Sequence, residues 1–198
     1  IKNMKITLKP NQKLFFTSDT HYNHSNICRA TTNWSNSDMT RDFHSLGEMN
    51  DNLVININET VGENDILIHM GDFSFGGFEN IEEFRNRINC KNIHLFLGNH
   101  DHHIENNRNN IRNIFSSVQH YDRLIVKKPD PFVKNKLNHF TFVCMHFPIA
   151  SWDGMNRGVI HIHGHVHLPK ELRVGNGKSI DVGVDGNDLT PISLEQVI

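Results

Sequence analysis

Gly158-Val159-Ile160-His161-Ile162-His163 runs as an apolar strand and ends in Gly164-His165-Val166-His167. Histidines at i and i+2 on an extended segment point to the same side, so both rings can converge on one ion. A surface histidine tract is the plain alternative, and Gly164 together with the apolar strand before it argues against that. The same pattern recurs upstream. Leu14-Phe15-Phe16-Thr17-Ser18 leads into Asp19-Thr20-His21, and Asp65-Ile66-Leu67-Ile68-His69-Met70 into Gly71-Asp72. Asn92-Ile93-His94-Leu95-Phe96-Leu97 leads into Gly98-Asn99-His100-Asp101, and His139-Phe140-Thr141-Phe142-Val143-Cys144-Met145 into His146. Any one of these endings has an ordinary reading as a turn or a cap. Five in a row, each after a short apolar run, point to a crevice beyond the C-terminal ends of strands, where open α/β sheets bind ligands.

Outward from these blocks, Ser179 to Val184 reads as a sixth strand and Val118 to Val126 as a further one. Asp38 to Thr60 is expected to be helical, with Leu46, Met49, Leu53 and Ile57 at three- and four-residue steps and Asp38 as its cap. Glu79 to Asn89 carries Ile81, Phe84 and Ile88 on one stripe. Strands alternating with helices indicate an α/β domain. Lys127 to Asn138, with Pro129 and Pro131, reads as an exposed loop, and the Asn-rich 102–113 segment as a solvated helix rather than a lid.

At 198 residues the chain has room for a single domain, residues 1–198, which needs no disulfide staple because a domain of this length buries roughly 70% of its unfolded surface. Twenty basic side chains against 22 acidic ones leave a formal charge of −2, no footprint for gripping duplex nucleic acid. Cys28, Cys90 and Cys144 are an odd number with no CxxC pair, which suits a reducing cytoplasm better than secretion. No apolar run is long enough for a membrane span, and the first residues lack the apolar core of a signal peptide. The chain does not begin with Met, so Met4 is a candidate natural start. The 15 histidines are the outlier, because imidazole is the commonest metal ligand and a proton carrier near neutral pH.

Taken in order, Asp-x-His, Gly-Asp, Gly-Asn-His-Asp, His and Gly-His-x-His resemble the calcineurin-like metallophosphoesterase superfamily over about Phe15 to Ile198. The opening Phe16 to His21 with His24, and the closing Val182-Gly183-Val184-Asp185 with Pro191 to Glu195, look like its small bacterial and phage members. Asn23 departs from the Gly those members often carry. The resemblance implies a β-sandwich of two mixed sheets flanked by helices in four layers, with a dinuclear metal site at the strand C-terminal ends. It implies that Asp19, His21, Asp72 and His167 hold one ion. Asp72, Asn99, His146 and His165 would hold the other, with Asp72 bridging. His100 would act as general acid or transition-state donor, and Asp101 would orient its ring.

The chemistry of that ligand set is consistent with a phosphate-binding site. Two dications bring about +4, and Asp19, Asp72 and a bridging hydroxide return about −3, so the site attracts a phosphate ester. Such a pair can stabilise both attacking and leaving oxygens of an in-line displacement, without a Ser or Cys nucleophile. Mixed N/O ligation suits Mn, Fe, Ni, Co or Zn better than Mg or Ca, with Mn preferred here. His24 and Asn26 either touch substrate or lie at the surface. His163 reads as a supporting residue rather than a ligand, and His161 and His69 as strand histidines with ordinary partners. Arg108 and Arg112 read as a solvated face, with phosphate clamping the other option. The expected function is hydrolysis of a phosphodiester, on a cyclic nucleotide, a nucleotide or a short oligonucleotide. The alternative is a phosphomonoesterase acting on a nucleotide or phosphoprotein, and the reading from another class is a non-catalytic metal-binding scaffold.

Overall fold

Successive side chains on a strand face opposite ways, so an apolar run of even short length can serve two cores at once. The computed structural model, which describes residues 3–30, 36–107, 113–172 and 178–198, uses the runs in this way. Strands β2 (Leu14–Thr17), β3 (Ile66–His69), β4 (Asn92–Phe96) and β5 (Ser117–Gln119) lie side by side in parallel. β10 (Ile192–Ser193) pairs antiparallel with β2, giving the order β10-β2-β3-β4-β5. The second sheet has the order β1 (Met4–Thr7), β6 (Tyr121–Pro129), β7 (Leu137–Met145), β8 (Ile160–His163), β9 (Ser179–Asp181). There β6 and β7 are antiparallel and the other neighbours parallel. Both sheets are mixed, and they pack face to face.

Leu14, Phe16, Ile66, Ile68 and Phe96 of the first sheet meet Leu124, Val126, Phe142, Cys144 and Ile162 of the second in one buried cluster. The intervening Phe15, Leu67, Ile93 and Leu95 face the other way. They pack on Val54 and Ile57 of α2 (Leu46–Thr60) and on Ile81 and Phe84 of α3 (Phe78–Arg87). Fully burying an aliphatic or Phe side chain contributes about 1.5–3 kcal/mol, so these two clusters fix the layering. Behind the second sheet, Val143 packs with Trp152 and Val159 under the short 3-10 turn Met155–Arg157. The architecture is therefore an α/β sandwich of two mixed sheets flanked by helices.

Three expectations need correction. The 38–60 helix is two pieces, α1 (Ser37–Thr40) and α2, and its cap is Ser45, whose hydroxyl accepts from the Glu48 N–H, not Asp38. The interruption falls where the Arg41 side chain turns into the protein interior. The 118–126 strand is broken between Gln119 and Tyr121 into β5 and β6, which belong to different sheets. The 127–138 loop is largely a hairpin arm, because β6 runs on to Pro129 and β7 begins at Leu137, pairing with it. Pro129 has no N–H to give, and it sits at the strand end where that loss is tolerated. The 102–113 segment opens with the short helix α4 (His102–Asn106). Arg108 and Arg112 lie outside the described residues. Among the described residues no helix is long and apolar enough to cross a membrane.

Candidate metal centre

The C-terminal ends of β2, β3 and β4 from one sheet, and of β7 and β8 from the other, open onto the same side. The sheets are tied together there by a bridge between Ser18 and Gly183 and by the Val184 N–H donating to the Ser18 carbonyl at 3.0 Å. The chain cannot continue as strand beyond these points. Asp19, His21, Asp72, His165 and His167 all adopt left-handed backbone, with φ of 56°, 46°, 54°, 75° and 50°. Non-glycine residues rarely do so, and such strain gathers at functional sites. Glycines make the room. A Cβ on Gly98 would fall 2.2 Å from Asp72 Oδ1, and one on Gly164 would fall 2.3 Å from Asp19 Oδ2.

Two groups of donor atoms result. Asp19, His21, Asp72 and His167 each offer one ligand atom within 4.8 Å of the others, and so do Asp72, His146 and His165. Asp72 belongs to both. Its Oδ2 lies 3.3 Å from His21 Nε2 and 3.5 Å from His146 Nε2, so one carboxylate oxygen stands between the two halves. Asn99 joins the second half, with Oδ1 3.2 Å from His146 Nε2. In the first half, His21 Nε2 and His167 Nε2 face each other at 3.1 Å, and His167 Nε2 is 3.6 Å from Asp19 Oδ1. Each ring is held by its other nitrogen: His21 Nδ1 meets His24 Nδ1 at 3.0 Å, His167 Nδ1 meets Asp185 Oδ2 at 2.6 Å and His146 Nδ1 meets the Met70 carbonyl at 2.8 Å. Imidazole nitrogens converging on carboxylates, those of His21, His146 and His167 fixed from behind, fit divalent cations. The residues could thus hold metal.

The charges bear the mark of that crowding. Burial pushes the Asp19 carboxyl up to about 6, and His21, buried without enough compensation, falls to about 3. Burial would raise Asp72 as well, but hydrogen bonds with His146 and His21 carry it well below the usual carboxylate range. His146 goes the other way: burial opposes its charge, yet Asp72 and Asp19 raise it to about 9.

His100 and Asp101 follow in the same turn. The His100 N–H donates to Asp72 Oδ1 at 2.8 Å, and its ring packs edge-on to His21, with centroids 5.1 Å apart. It also lies 5.6 Å from the His24 ring and 5.8 Å from Phe75. Asp101 does not do what was expected of it. Its oxygens accept from the backbone N–H groups of Asp72 (2.7 Å), Phe73 (2.9 Å) and Gly98 (2.8 Å), so it shapes the ligand turns rather than steadying the His100 ring. Burial raises this carboxyl to about 6 in spite of those bonds. His24 is buried, stacked on Phe75 with centroids 3.8 Å apart, and supports His21, whereas Asn26 is exposed. His163 Nδ1 donates to the Gly164 carbonyl, His161 Nδ1 donates to the Val143 carbonyl and His69 faces Thr20 Oγ1, all as ordinary partners.

Sequence reasoning missed two buried charges. Arg41, placed by periodicity in a helix opening, and Asp185, quoted only as part of a closing block, form an ion pair at 2.6 Å directly behind the first half of the site. Nothing local in the sequence announces Arg41; a lone arginine reads as surface.

The chain matches no protein-family model. An uncharacterised protein of Methanocaldococcus jannaschii is 27% identical over 192 residues, spanning 94% of this chain and 90% of its own. The Gene 66 protein of Mycobacterium phage D29 is 29% identical over 196 residues, spanning 90% and 92%. The crystal structure of AQ665, a protein of unknown function from Aquifex aeolicus, superposes with a TM-score of 0.62 at 21% identity, covering 94% of this chain and 98% of that one. The two chains share their fold. On that scaffold the buried His/Asp clusters occupy the place where strand ends from both sheets meet.

Proposed function

We propose that the chain is a metal-dependent phosphohydrolase that uses two divalent ions, manganese first among them, and acts on phosphodiesters of the nucleotide or short-oligonucleotide class. The observation that carries this reading is Asp72 Oδ2, set between His21 Nε2 and His146 Nε2 so that one carboxylate serves both ligand groups. When bound, such a pair supplies Lewis-acid charge and lowers the pKa of water toward about 7. The protein side chains do the rest. Asp19, Asp72 and their imidazoles leave a site that favours a phosphate anion once it is loaded. His100, half-buried beside His21 and pinned by its own N–H to Asp72, is placed to give a proton to the oxygen that leaves phosphorus. In the step as a whole, a P–O bond to the attacking oxygen forms, the P–O bond to the leaving alcohol breaks, and that alcohol departs protonated.

Aromatic surface borders the site. Phe147 is 36% exposed, with its ring 5.0 Å from His146 and 4.7 Å from His165. The base of a nucleotide ester could lie on it, which supports a substrate of the nucleotide class. The balanced charge of the chain favours short substrates over duplexes.

The test is turnover of bis-p-nitrophenyl phosphate beside p-nitrophenyl phosphate with Mn²⁺ added. Diester turnover exceeding monoester turnover supports the proposal, a ratio well below one makes the protein a monoesterase, and no turnover with metal bound makes it a scaffold. His100→Ala is expected to keep its metal and lose roughly 10²–10⁴-fold in kcat; an unchanged kcat would remove His100 from the reaction.

A further inference from the structure

Arg41 is 0% exposed and is the largest fully buried side chain among the described residues. Burying an arginine is costly, and a well-packed apolar group of similar size is often at least as stabilising, so its place needs a reason beyond packing. Its hydrogen bonds supply one. Nε donates to Asp185 Oδ1 at 2.6 Å, and one terminal nitrogen donates to Asp185 Oδ2 at 3.2 Å and to the Asp19 carbonyl at 2.6 Å. The other terminal nitrogen donates to the Thr20 carbonyl at 3.1 Å. Asp185 Oδ2 in turn accepts from His167 Nδ1 at 2.6 Å. One guanidinium thus spans the 19–21 turn and, through one carboxylate, the His167 ring, although these groups come from residues 19, 20, 41, 167 and 185 of the chain.

We propose that Arg41 and Asp185 are positioning residues that preform the Asp19/His21/His167 half of the metal centre before any ion arrives. The inference rests on the metal-site reading above. Arg41 holds the carbonyls of the two successive peptides that flank Thr20, which keeps Asp19 and His21 in their left-handed conformations. Asp185 Oδ2 accepts a hydrogen bond from His167 Nδ1–H, which leaves Nε2 to face His21 and Asp19 as the ligand atom. The other half is held differently, with Asp101 accepting from the backbone N–H groups of Asp72 and Gly98 rather than from a ligating ring. His146 leans on the Met70 carbonyl, and His165 is tied through its backbone N–H to Asp19. Carboxylates that orient a ligating histidine commonly govern metal affinity by 10–100-fold.

The experiment titrates Mn²⁺ into the full chain by calorimetry, comparing wild type, Asp185→Asn, Arg41→Lys and His146→Ala. Asp185→Asn keeps the shape and removes the charge. It is expected to weaken one binding step about 10–100-fold, and His146→Ala the other step. Arg41→Lys keeps the charge without the fork, and should fall between wild type and Asp185→Asn. Wild-type affinities in both Asp185→Asn and Arg41→Lys, even with a lowered melting temperature, would make the pair purely structural and overturn the inference while leaving the metal site standing. No Mn²⁺ binding by wild type would overturn the metal-site reading and this inference with it. A measurement free of variants guards against misfolding: in ¹⁵N spectra of the Zn²⁺-loaded wild type, His167 should carry its proton on Nδ1, and a proton-free Nδ1 would overturn the inference.

Discussion

His146 shows how single side chains in this centre would respond to an ion. Burial alone would keep the ring neutral, but Asp72 and Asp19 raise it to about 9, so at pH 7.5 it carries a proton. Nδ1 keeps its bond to the Met70 carbonyl in either state, so the proton that must leave for a cation to bind is the one on Nε2. Apparent Mn²⁺ affinity should therefore rise with pH up to about 9. At pH 7.5 the binding heat should differ between buffers of different ionisation enthalpy, and equal heats in HEPES and Tris would show that no proton is displaced. At this scale the sequence was most legible where a residue sat in a short block at a strand end, as Asp19, His21, Asp72, Asn99, His100, His146, His165 and His167 all do. Asp101 shows the limit. Its neighbour in sequence suggested a ring to orient, but left-handed turns leave backbone N–H groups needing acceptors, and that need decides where the carboxylate points. Arg41 and Asp185 meet only through the tertiary fold, and no spacing rule reaches across the residues between them.

The elements carry these side chains only because their ends are cut to fit. Gly164 closes β8, and a Cβ there would fall 2.1 Å from Ser18 Oγ and 2.3 Å from Asp19 Oδ2. Gly164→Ala should lower stability by about 1–3 kcal/mol through overpacking, and should also lose metal, because relief must come from moving Asp19. Gly77→Ala, where the added carbon meets nothing within 4 Å, is the control and should keep its metal content in the same plasma-emission assay. Equal metal content in both variants would mean that the Asp19 turn gives way without harm. Strands β2, β3, β4, β7 and β8 could be placed from apolar runs alone, and α2 from its spacing. The break before α2 could not, since Arg41 leaves the helix to satisfy partners that lie elsewhere. β10 went unread because two residues show no period, and β1 because Lys5 interrupts what would be its apolar run on an edge strand.

For the molecule as a whole, ligand binding that is confined to the folded state adds stability in proportion to occupancy. Mn²⁺ at about 100 times its dissociation constant should add about 2.7 kcal/mol. In a chain of this length that corresponds to about 5–10 °C in melting temperature, reversed by EDTA. Scanning calorimetry with and without chelator reads it directly, and coincident melts would argue that the centre stays empty. The alternation of strand and helix made the α/β class legible, but not the division into two sheets. That arrangement came from the resemblance, since nothing between Gln119 and Tyr121 tells a reader that the chain crosses from one sheet to the other.

That crossing has a mechanical result. The donor atoms of the centre are supplied from both sides of the seam where the sheets meet, so an ion pair would sit like a rivet through two plates. Any sliding of one plate over the other would part the donor atoms that the two sheets supply. Phe16 and Phe142, meeting edge to face across the seam with centroids 5.4 Å apart, thereby act as a spacer for chemistry that neither ring touches.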